Sequence, residues 1–270
     1  MTNIIALLVN RQRRFPQHVW LILFFLTLGI ISGWQCAQAS TPETAPAELK
    51  NLLTQVDAAA SQGDVKKVIA FYSANFTHGD GLNRQTLEKA LTELWKRYPQ
   101  LKYSTKLESW KSEGNAIVAE TVTNITGLPA ANSNNLAFNA TIKSRQRVTG
   151  ATIVRQDILS ERTQLTSGVK PPQVEIKLPQ QVKVGQPYTF DAIVQEPLGD
   201  DFILGTALEE SVQADKYLNP TSVNLELLTS GGLFKVGRAP STPGNQWVSA
   251  VILRGEGMTM VTQRLQVVNK

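Results

Sequence analysis

The chain has 270 residues, with 27 Lys and Arg against 22 Asp and Glu for a net charge of +5. Two histidines and one cysteine are too few for a His-rich metal site, a thiolate zinc site or an internal disulfide. Neither half gathers its basic residues into a cluster with interleaved aromatics, which argues against a nucleic-acid partner.

At the N-terminus, Arg11, Arg13 and Arg14 precede the apolar run Val19–Ile31, and Ala37-Gln38-Ala39 follows with small residues at a peptidase site. This order predicts a secretory signal peptide over residues 1–39, cleaved before Ser40, and an extracytoplasmic location in a periplasm or equivalent lumen. The apolar run stops at Ser32-Gly33, short of the ~20 residues that a spanning helix needs. No membrane span is therefore expected after processing. Trp34-Gln35 lacks the small residue that precedes a lipidated cysteine, so Cys36 is read as part of the leader. Cleavage would remove three arginines and the cysteine, leaving a nearly neutral chain without a thiol.

Three helical patterns follow. Leu49, Leu52, Leu53, Val56 and Ala60 repeat on one helical face, with Thr41 or Thr44 as cap and Pro42 or Pro46 in the opening turn. Gly63 ends that helix, and Asp64 caps a short second one carrying Val65, Val68, Ile69 and Tyr72. A loop is expected over Ser73–Gly81. Asn83 then caps a third helix, with Leu82 and Leu87 placed as a hydrophobic staple, and Pro99 stops it.

Four strands are expected next. They start at Leu101 and at Ala116, and the later pair runs Leu136–Val148 and Ala151–Leu165, each alternating apolar and polar residues. Arg145, Arg147, Arg155 and Arg162 fall on the wet face, where an antiparallel sheet ordinarily carries charge. Thr166–Gln173 has linker composition, with Pro171-Pro172 favouring an extended segment. Beyond it, about seven short alternating runs separated by turn signals read as a β-sandwich.

Helices followed by four long strands over about residues 47–165 resemble the NTF2-like superfamily, which includes SnoaL-type cyclases and ketosteroid isomerases. VKVGQPYTFDAIV, residues 182–194, resembles a corner of immunoglobulin-like bacterial modules. The expected fold class is thus α+β: an NTF2-like cone, three helices on a curved antiparallel sheet, followed by an all-β immunoglobulin-like sandwich. The expected divisions are 1–39 leader, 40–165 cone, 166–173 linker and 174–270 sandwich.

The resemblance implies a pocket between helices and sheet, lined here by Tyr72, His78, Trp95, Tyr103 and Trp110. It also implies a catalytic alternative, an isomerase or dehydratase with Asp80 as general base, Tyr72 as donor and His78 assisting proton transfer. Gly79-Asp80-Gly81 is, however, an ordinary turn sequence, and no second acid lies on the apolar strand faces. The reading adopted is a secreted non-catalytic binding or accessory protein, with no cofactor and no metal. Its partner is a small apolar ligand or an envelope protein, and the sheet face is the surface for a homodimer.

Overall fold

The structure, a computed structural model, describes residues 40–127, 136–199 and 201–269. The expected leader with Cys36 lies outside the described residues, as do positions 128–135 of the loop expected before the third strand.

Helix α1, Ala47–Ser61, buries Leu49, Leu52 and Leu53 in its first half and Ala59 and Ala60 in its second. Pro46 is the residue before it, and Pro42 opens a separate 3-10 turn, Pro42–Thr44. Gly63, at φ +66°, turns the chain so that the Asp64 side chain accepts from Lys67 N at 3.0 Å and starts α2, Val65–Ala70. Helix α3, Arg84–Arg97, opens on a reciprocal box. Asn83 Oδ1 accepts from Thr86 N at 2.9 Å, and Thr86 Oγ1 accepts from Asn83 N at 2.8 Å. Arg84 also donates to the carbonyls of Ile69 and Tyr72, tying the start of α3 to the end of α2.

The segment after α2 is not the loop expected. Tyr72–His78 forms strand β1, parallel to the start of strand β5. Its residues are mostly polar and only Phe76 is fully buried, so periodicity could not find it. Strands β2 (Leu101–Glu113), β3 (Ala116–Gly127), β4 (Ala137–Thr149) and β5 (Thr152–Gly168) form an antiparallel meander. Register shifts between β4 and β5 near Ser144 and Val148 bend the sheet as bulges do.

The expected fold class is corrected here. Among the described residues 54% are strand and three α-helices are present, and strands from both expected domains join into one ten-stranded sheet rather than a cone and a separate sandwich. The reason lies in β5, which continues through Thr166-Ser167-Gly168, the start of the expected linker. Those residues pair with the first part of β13, Gly257–Val268. The sheet then extends through β12 (Gly244–Arg254), β9 (Ile203–Ser211) and β10 (Glu226–Leu227), while β7 (Gln181–Lys183) lies parallel to the end of β13. A smaller sheet holds β11 (Gly232–Arg238), β8 (Pro187–Val194) and β6 (Val174–Lys177).

Phe190 and Ala192 of the small sheet meet Val248, Ile252, Leu265 and Val267 of the large one in a core of their own. Each such large side chain contributes about 1.5–3 kcal/mol of burial. On β13, Leu265 and Val267 point into this core while Arg264 is buried against Asp80 and Glu161. Alternation then puts the small sheet and the helices on opposite faces of the large sheet. Cores under α1 and α3 complete the packing, around Leu49, Phe76 and Ile153 and around Trp95, Leu101 and Phe138.

At the crossing from β5 to β13, Gly168 has φ +89°, and a Cβ there would overlap the Glu256 carbonyl. Gly168→Ala is expected to lower the unfolding free energy by about 2 kcal/mol or more, combining left-handed strain with a backbone clash. Urea denaturation checks this; an unchanged midpoint would contradict the packing described.

Candidate functional site

A cavity of about 390 Å3 lies between α1, α3 and the inward face of β2–β5. Leu53 and Val56 of α1 and Leu91 and Leu94 of α3 form one wall, and Ile125, Phe138, Ala140 and Ile142 form the opposite one. The second wall follows from alternation in β4, where Phe138, Ala140, Ile142, Ser144 and Gln146 share a face. Tyr217, from the 3-10 turn Ala214–Tyr217, and Trp247, from β12, also line it, with their rings 5.0 Å apart.

Four residues proposed from sequence line this space: Tyr72, His78, Trp95 and Tyr103. Trp95 Nε1 donates to the Tyr103 hydroxyl at 3.1 Å, with the two rings edge to face. Burial pushes the Tyr72 phenol up to about 12 and raises that of Tyr103 as well. Both therefore stay protonated donors at neutral pH. Trp110 is not among the lining residues. Its Nε1 donates to Thr41 O at 3.1 Å and Thr44 Oγ1 at 3.2 Å, holding the segment before α1 against β2.

Asp80 sits in the Gly-Asp-Gly turn, but its side chain turns inward to an ion pair. Arg264 donates from Nη1 to Oδ1 at 2.9 Å and from Nη2 to Oδ2 at 2.8 Å. The Tyr217 hydroxyl adds a third bond to Oδ2 at 2.6 Å. Arg264 also reaches Glu161 Oε2 at 2.9 Å, which accepts from Trp247 Nε1 at 3.0 Å. The Arg264 side chain has no exposure and that of Asp80 has 2%.

Burial pushes the Asp80 carboxyl up, but the hydrogen bonds and charge of Arg264 outweigh it, and the net shift is downward. A carboxylate so held is a weak base, and Asp80 is not among the residues lining the cavity. The general-base role assigned to it from sequence has no geometric support. The half-buried Asp57 on the helical wall accepts from Thr105 N and Oγ1, each at 2.6 Å. Among the described residues, no group of three or more His, Cys, Asp or Glu could hold a metal ion.

His78 ends β1, and its Nδ1 accepts from Asp80 N at 3.1 Å, which assigns the ring proton to Nε2. Burial holds the imidazole below its ordinary value, opposed by the nearby Asp80 charge. The ring is therefore neutral at neutral pH.

On the outer sheet face three of the four arginines read from the sequence are paired. Arg145 bonds Glu120 at 2.7 Å, Arg147 bonds Glu113 at 2.6 Å and Arg155 bonds Asp157 at 2.7 Å. This is the charged outer face read from the sequence.

Sequence reasoning missed Arg264, Glu161, Tyr217, Trp247 and Gln146. In β13 the alternation assigns Arg264 to the face opposite Leu265, where an arginine is ordinary. Met258 and Met260 share that parity and were the available sign that the face is not wholly wet.

One family model matches, Domain of unknown function (DUF8623), over residues 169–268, which takes in β6–β13. No curated protein matches the chain. Among solved structures, Bd1075 of Bdellovibrio bacteriovorus is similar at 16% identity and a TM-score of 0.30. That likeness covers 41% of this chain, and the chain spans only 38% of that protein. An LEH-like epoxide hydrolase of M. tuberculosis is similar at 16% identity and a TM-score of 0.31, over 43% of this chain and 84% of its own. A protein with a ketosteroid isomerase-like fold from Catenulispora acidiphila is similar at 14% identity and a TM-score of 0.30, over 44% of this chain and 85% of its own. Neighbours of NTF2-like and SnoaL-like fold thus cover less than half of the chain, and no residue role is carried over from them.

Both titrating groups at the turn make stability depend on pH in the same direction. The folded chain resists protonating His78, whereas the unfolded chain takes the proton near 6.5. Its contribution is present above that pH and is lost as pH falls below it. Asp80 contributes above its ordinary value of 3.8, and that part is lost as pH falls through its lower folded value. Thermal denaturation is expected to show a melting temperature falling in two stages, and His78→Asn should remove the first stage only. An unchanged slope between about pH 7 and 5 in that variant would contradict the assignment.

Proposed function

We propose that the chain is an exported, non-catalytic binding protein whose cavity holds a small, largely apolar molecule. The observation that carries this reading is the cavity itself. Its walls are aliphatic and aromatic, and its volume of about 390 Å3 falls within the roughly 300–1,000 Å3 usual for small-molecule sites. The carboxylate best placed in sequence for proton abstraction, Asp80, is committed to Arg264. The C-terminal part of the chain adds to the same site, since Tyr217 and Trp247 form part of its wall. Export rests on Arg11, Arg13 and Arg14, the apolar run after them and Ala37-Gln38-Ala39.

Native mass spectrometry of the protein purified from its own host tests both parts. A polypeptide mass beginning at Ser40 is expected, with additional mass that leaves on denaturation. Ala140→Leu, which extends the wall into the cavity, should lose most of that added mass while keeping the fold. A bare polypeptide from both proteins would contradict ligand binding, and an intact Met1 terminus would contradict export.

A further inference from the structure

Most polar groups at the cavity are satisfied by the protein. Among the exceptions, three residues each offer a donor. Tyr103 accepts from Trp95, so its own hydroxyl proton is left over. The Tyr72 hydroxyl and His78 Nε2 have no hydrogen-bond partner among the described residues, and both residues line the cavity. The most telling group is Gln146, at the polar end of the β4 row. It is 7% exposed, lines the cavity, and its Oε1 is buried without any partner. Leaving a buried amide oxygen unpaired is unfavourable, because its bond to water is lost and not replaced. An unpaired oxygen calls for a donor, but a half-turn of the carboxamide exchanges it with the NH2, and in that rotamer Gln146 donates to a ligand oxygen.

Charge narrows the class further. Arg264 is matched by two carboxylates, Asp80 and Glu161, and Asp57 is held by Thr105 rather than by a cation. With the half-buried Asp57 counted, these surroundings are net negative and disfavour an anion. Arg97 and Glu93 line the cavity at exposed positions; away from them the donors are neutral hydroxyl, imidazole and amide groups. The geometry points to an uncharged apolar ligand bearing a carbonyl oxygen, bound by Tyr72, Tyr103, His78 and Gln146 rather than as a carboxylate. This assignment rests on the ligand-binding reading above and specifies what that site recognises.

A matched series separates the two claims. Acetylnaphthalene, ethylnaphthalene and naphthoate share one ring system and differ in offering a neutral carbonyl, no acceptor or a charge. Isothermal titration of the full-length mature protein is expected to give acetylnaphthalene about a tenfold lower Kd than ethylnaphthalene, corresponding to ~1.4 kcal/mol, with naphthoate weakest. In Tyr103→Phe and in Gln146→Leu, the ratio of the two neutral ligands should fall toward one. The ratio is internal to each variant, so a general loss of stability does not mimic the effect. Equal binding of the two neutral compounds, or tightest binding of naphthoate, overturns the carbonyl assignment and leaves the cavity reading standing. No binding by any of the three overturns both.

Discussion

Strand β5 offers one edge to two strands that arrive from opposite ends of the sequence. Strand β1 takes Ile153–Gln156 and β13 takes Arg162–Gly168. The stretch 157–161 between them has no strand on that edge, so its polar groups must find other partners. Gln266 Nε2 donates to Leu159 O at 2.7 Å, and Glu161 receives Arg264 and Trp247. Arg264 then reaches across to Asp80, just beyond the end of β1. Gly79 lets the chain pass this close, since a Cβ there would lie 2.8 Å from Asp157 Oδ1. A buried ion pair of this kind is weak support for stability against an apolar replacement, yet removing one partner costs about 3–5 kcal/mol. Its bidentate fork accepts the carboxylate in one geometry, which suits it to fixing how β1 and β13 meet.

The same seam sets the character of the cavity. Tyr217 donates to Asp80 and Trp247 to Glu161, so two aromatic wall residues are positioned by the ion network. Asp80 is consumed in this arrangement, and its neighbour His78 is kept neutral by burial. What Tyr72, Tyr103, His78 and Gln146 then present to the cavity is a set of uncharged polar groups beside an aliphatic and aromatic lining. The site and the continuity of the sheet have one cause, the burial of Arg264 between two carboxylates.

The local elements were legible where a residue carries its own signal. Asn83 with the Leu82 and Leu87 staple marks the start of α3, the leucine stripe marks α1, and strict alternation marks β2 to β5. Most of the later strands were also readable from short alternating runs. Tyr72, His78, Trp95 and Tyr103 could be gathered only through a family resemblance, whereas Trp110 turned out to serve the N-terminal segment. What could not be read were the pairings between distant segments. Thr166-Ser167-Gly168 looks like a linker because polar, small residues suit both a linker and a strand with one wet face. Strand β1 lacks apolar alternation because its burial comes from its neighbours. Arg264 sits at a position where a surface arginine is common, and only its contact with Asp80, far away in sequence, makes it central.

A double-mutant cycle between Asp80→Asn and Arg264→Met, followed by chemical denaturation, tests the central claim most directly. The account predicts a loss of about 3 kcal/mol or more for each single change. The double variant should lose less than the sum, with a coupling of about 2 kcal/mol. Additive losses within about 0.5 kcal/mol would show that the two residues act independently, and the seam would then not be what joins β1 to β13.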